Sequence, residues 1–87
     1  MKATTLAIVR KMTAIEARKQ RASIDAESHR QAGYDRGYAG QYRREQDRLL
    51  TEYSAARKEL DELCESLDWD YPTIVKATDI AYFAARA

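Results

Sequence analysis

The chain has little of what catalytic and metal sites are usually built from. Among its 87 residues there is one cysteine, one histidine and one proline. Cys64 alone cannot close an intrachain disulfide, and with His29 it falls short of a zinc ligand set. No phosphate-cradling loop, metal-ligand spacing or nucleophile motif occurs. The expectation is therefore a non-enzyme with no cofactor, no metal and no catalytic residue.

Long apolar runs are missing as well. The opening, "MKATTLAIVRKMTA", holds at most seven weakly apolar residues before Arg10 and Lys11. That is too short and too polar for a signal peptide, and nothing later approaches a membrane span. A cytoplasmic protein without a membrane partner is expected. Net charge is nearly absent too, at +1, so no global field calls for nucleic acid or an acidic membrane.

What is present is helix-forming. Charged residues make up 33% and apolar ones 45%, a globular or coiled-coil composition that excludes a disordered chain. The length suits one helical domain over 1–87. Charge is divided between the halves: residues 1–48 carry eleven Lys and Arg against six acids, and residues 49–87 carry four against eight. The halves can complement each other in the fold, or the first can present a basic surface.

The strongest pattern runs from Tyr42 to Leu67. Tyr42, Leu49, Tyr53, Ala56, Leu60, Leu63 and Leu67 alternate steps of three and four once Gln46 is allowed on the seam. Such a heptad seam predicts a long amphipathic helix over about 41–68, packed along another helix. "DWDYP" and Pro72 end it. Pro72 suits a helix start, and a short alanine-rich helix is expected over about 72–86, with Ile74, Ala77, Thr78, Ala81 and Ala85 on one face, widened by Val75 and Tyr82. Upstream, Ile8, Met12, Ile15, Ala22 and Ala26 share a face of a helix over about 5–32. Thr13 to Glu16 resembles a capping box, but the apolar phase continues through Thr13, which favours one helix from about Thr5. From Glu16 to Arg48 the only large aliphatic residue is Ile24, so no thick core is possible there.

All three glycines, Gly33, Gly37 and Gly40, fall in one stretch with Tyr34, Tyr38 and Tyr42. On a helical wheel the glycines share a face, which is compatible with an unbroken helix of roughly 90 Å at 1.5 Å per residue. A turn over about 33–40 is favoured instead, because interior glycines cost about 1 kcal/mol each relative to alanine. Folding back about residues 36–37 also sets Leu6 against Leu67, Val9 against Cys64, Met12 against Leu60, Ala17 against Ala56 and Ile24 against Leu49. The expected fold is all-α: a long antiparallel, coiled-coil-like hairpin plus a short C-terminal helix, three helices in all.

Candidate binding residues follow from composition. Tyr34, Arg36, Tyr38, Tyr42, Arg43 and Arg44 would form an aromatic and basic patch at the hairpin tip, suited to a protein or to phosphates and stacked bases. The plainer reading is that the tyrosines cover a thin helical end and the arginines are solvated. Arg18, Lys19 and Arg21, with Arg10 and Lys11, could hold a nucleic-acid backbone, although the acidic second half is an equally good partner. Trp69 is expected to close the core between the second and third helices, His29 to lie on the surface, and Cys64 to act as a small buried hydrophobe. The leading expectation is a helical interaction module, a small regulator, inhibitor or adaptor that binds a larger macromolecular partner, a kind common among accessory proteins of phages and mobile elements. A small nucleic-acid-binding protein using the basic half is the alternative. A homodimer is expected in either case, because a thin bundle of this length is marginal alone.

Overall fold

A computed structural model describes the backbone of residues 3–36 and 39–86 and the side chains of residues 4–33 and 42–86. Three helices are present, α1 (Ala3–Arg36), α2 (Ala39–Ser66) and α3 (Tyr71–Arg86), with no strand among the described residues. The helical hairpin with a short third helix is the expected fold. Its long axis is 52 Å, about the length of the 34-residue α1 alone at 1.5 Å per residue. The continuous helix is thereby excluded.

α1 and α2 run antiparallel: Arg18 of α1 pairs with Glu59 of α2, and His29 lies beside Tyr42. Both helices reach further into the glycine-rich stretch than expected, since α1 continues to Arg36 and α2 begins at Ala39. Gly33 is thus helical and buried. It continues the face of Ala22 and Ala26, also buried, and side chains this small let the α2 backbone come close. Gly37 and Tyr38, between the helices, lie outside the described residues.

Local hydrogen bonds explain the other boundaries. Thr13 is interior to α1, where its Oγ1 donates to the carbonyl of Val9 at 2.8 Å. It caps nothing, and a single helix, described from Ala3, is the arrangement found. At the end of α2 the Leu67 N–H donates to the Cys64 carbonyl at 3.2 Å, a tightened last turn that satisfies one of the terminal carbonyls. α3 begins one residue before Pro72, because Asp70 is its cap. The Asp70 Oδ1 accepts from the Thr73 N–H at 3.2 Å, and its carbonyl accepts from the Ile74 N–H at 3.1 Å. The cap draws Tyr71 into the helix, while Pro72 still falls where its missing N–H costs nothing.

The core is small and lies toward the open end of the hairpin. Val9, Met12 and Ile15 from α1 meet Ala56 and Leu60 from α2 and Ala77 and Ala81 from α3, with Ile8, Leu63, Cys64, Leu67 and Trp69 packed around them. Toward the tip, among the described side chains, only small residues and Leu49 are buried, so the core thins as expected. Three fold-back pairings fail, and Leu6, set against Leu67, is one of them, at 40% exposed. Ile24 is 65% exposed and Ala17 is exposed. Ile24 lies 200° around α1 from Ala22 at 100° per residue, so no register can turn both toward α2. Trp69 is also placed differently. It packs against the core and also borders a hollow with Thr5 and Val9 of α1 and Pro72, Thr73 and Ala77 of α3, so it faces the first helix as well as the third. The cause is that α3 rests mainly on α1.

Candidate interaction surface

α3 is held by its narrow face. Ala77 and Ala81 point into the core, and the Gln20 Nε2 of α1 donates to the Tyr82 carbonyl at 3.2 Å, fastening the far end. Tyr82 carries the edge of Phe83 at 5.3 Å and the Arg86 guanidinium at 5.5 Å from its ring centre. Two alanines cover little area, so most apolar side chains of α3 lie outside the contact. Tyr71, Pro72, Val75, Ile80 and Phe83, together with Lys76 and Asp79, line a shallow depression on the outer side. Tyr71 is 78% and Phe83 67% exposed. Val75, expected to widen the inward face, belongs to this outer stripe instead, because it lies 200° from Ala77.

The stripe was not anticipated as a site. Its signal was present in the sequence: Ile74, Ala77 and Ala81 satisfy one face, while Val75, Ile80 and Phe83 supply a second that no single packing partner can cover. A short helix that is apolar on more than one side has a further surface to bury.

The expected tip patch is only partly described. Tyr34, Arg36 and Tyr38 have side chains outside the described residues. Tyr42 is half-buried, its ring centre 6.1 Å from that of His29, and Arg43 and Arg44 are exposed. His29 is therefore half-buried against an aromatic neighbour, where a surface position was expected. Beside it Arg48 bonds Glu45 and reaches Glu52 at 2.6 Å. The Arg48 bond holds the Glu45 carboxyl below its ordinary range, with smaller help from the Arg48 and His29 charges. Glu27 is lowered in the same way by Arg30.

The basic cluster on α1 is divided among different neighbours. Arg18 pairs with Glu59, and Lys19 reaches Glu16 at 2.9 Å. Arg18 and Arg21 share a groove with Asp25, Glu52 and Glu59. Glu16 is buried, and its Oε1 also accepts from the Gln20 Nε2 at 3.2 Å. It is the buried charge that sequence reasoning missed.

Cys64 is half-buried at the edge of the core. Burial pushes its thiol pKa up from the ordinary value of 9.0, and the nearby Asp61 charge adds to the shift. The neutral thiol is thus favoured by folding. That contribution is present below the ordinary pKa and is lost as pH rises through the raised one. Alkylation of Cys64 by iodoacetamide at neutral pH should be slower in the folded protein than in urea, since the thiolate is the nucleophile. Equal rates, followed by mass spectrometry, would contradict that environment.

No group of three or more His, Cys, Asp and Glu residues suited to a metal ion occurs among the described residues. Nor is any described helix long and apolar enough to cross a membrane. No protein-family model, curated protein or solved structure is significantly similar to this chain.

Proposed function

We propose that this protein is a non-enzymatic helical interaction module, a small regulator, inhibitor or adaptor that acts through protein–protein contact. The observation that carries this reading is the outward apolar stripe of α3. Aromatic and aliphatic side chains on one exposed helix face are the anchors from which helix-mediated interfaces are built. The helical hairpin beneath is thin, its core a small cluster that includes three alanines, and it offers little interior for a sheltered reaction site. Exposed Arg43 and Arg44, beside half-buried Tyr42, supply a further surface for a larger partner.

The nucleic-acid alternative has less support. Two of its three named cations, Arg18 and Lys19, already face carboxylates, and the groove beside Arg18 and Arg21 is lined by Asp25, Glu52 and Glu59. A phosphate backbone would have to displace those partners.

The test is a photo-crosslinking amino acid placed at Phe83 in the full chain and irradiated in cells of the native host. A protein adduct that is absent when the crosslinker replaces Lys58 on the exposed side of α2 is expected. Irradiation that yields no adduct from position 83, or adducts to nucleic acid alone, would overturn the reading.

A further inference from the structure

We infer that the occupant of the α3 stripe is a second copy of this chain, docked antiparallel about a two-fold axis. This rests on the reading of α3 as a protein-contact surface and adds the identity of the partner. The argument is one of self-complementarity. The stripe is lined by Pro72, Val75, Lys76, Asp79, Ile80 and Phe83, with Tyr71 at its end, and from Pro72 onward it follows the ordinary helical spacing of three, one, three, one and three, which reads the same in either direction. Two antiparallel copies with the axis between Ala77 and Thr78 set Pro72 against Phe83 of the other copy and Val75 against Ile80. Lys76 then faces Asp79, twice over.

A two-fold interface requires such a patch, in which residue i meets j and j meets i. That spacing is common to any helix face; what singles out a second copy is the charge, with opposite signs at reciprocal positions in the middle of the stripe and apolar residues on both sides. Lys76 and Asp79 stand alone as the stripe's charged residues, one of each sign, so pairing of two copies leaves neither charge facing its like. The apolar surface also continues past α3. Lys76 and Ile80 border the hollow that holds Thr5 and Trp69, which extends the contact beyond one pair of helices. The heptad seam of α2 is less available to a second copy, because Leu49 is buried beside Ala22 of α1.

Light scattering on the full chain at micromolar concentration should give twice the 10.0 kDa chain mass. Phe83→Asp should give a monomer with unchanged helicity by circular dichroism. Lys76→Asp and Asp79→Lys should each weaken the dimer by about tenfold or more, since each sets like charges face to face across the axis. The double variant Lys76→Asp/Asp79→Lys should recover most of the affinity, because both pairs are again of opposite sign. A monomeric wild type overturns the inference, as does a dimer indifferent to Phe83→Asp or a double variant no better than the singles. An adduct from position 83 to a different protein, with the wild type monomeric, overturns the second copy alone and leaves the interaction-module reading standing.

Discussion

Met12→Ala should destabilise the protein by about 2–5 kcal/mol, the range for truncating a fully buried large side chain. Met12 is 0% exposed and is the largest completely buried side chain among the described residues. It sits in the cluster where all three helices meet, so the cavity it leaves is lined from three sides and cannot collapse by the movement of one helix. At about 0.05–0.15 kcal/mol per residue the whole fold is stable by only about 4–13 kcal/mol. A loss of this size therefore removes a large share of the total. Urea denaturation followed by circular dichroism measures it, and a change under about 1 kcal/mol would mean that this site is not closely packed. Leu63→Ala should cost less, since Leu63 is half-buried where Met12 is sealed.

Lys19→Met should cost about 2–3 kcal/mol, through the carboxylate it strands and not through lost packing. The Glu16 side chain is 4% exposed and that of Lys19 21%, with 2.9 Å between Nζ and Oε1. Methionine keeps the apolar stem but leaves Glu16 charged, buried and bonded to Gln20 alone. Adding Glu16→Gln should return stability to within about 1 kcal/mol of the wild type, because a buried pair contributes little net once both charges are gone. A single variant as stable as the wild type would show that water reaches Glu16. The exposed Arg18–Glu59 pair offers the contrast: an ion pair on the surface is worth at most about 1 kcal/mol. The result also bears on nucleic acid, since a Lys19 occupied in holding Glu16 is a poor phosphate ligand.

Much of this architecture was legible from periodicity. Leu49, Ala56 and Leu60 recur at heptad spacing and are buried. Met12, Ile15, Ala22 and Ala26 were placed together on the inward face of α1 and are buried as well. The failures have separate causes. Pairing Ile24 with Leu49 counted positions along the chain and ignored angle around the helix. Glu16 was passed over because a carboxylate beside a seam is ordinarily solvated. Asp70 was seen as part of a helix-breaking run, although the same side chain that disfavours a helix interior caps its start. Of the expected tip patch, Tyr42, Arg43 and Arg44 fall on described side chains, and their composition alone could not tell that Tyr42 would be half-covered beside His29.

Helical period and breakers are local properties, written within a few residues, so the sequence by itself determined three helices, the inward faces of α1 and α2, and a chain that doubles back near its glycines. Where α3 rests is not local. Its alanine face could have lain on either long helix, and the choice depends on side chains some sixty residues away in sequence. Gln20 meets the Tyr82 carbonyl, and Val9, Met12 and Ile15 receive Ala77 and Ala81. That docking sets Trp69 facing α1 as well as α3, and it turns Tyr71, Val75, Ile80 and Phe83 outward. Tertiary structure alone decided that this protein's most apolar helix would keep a face to offer, because two alanines suffice to seat it and leave its larger side chains unspent.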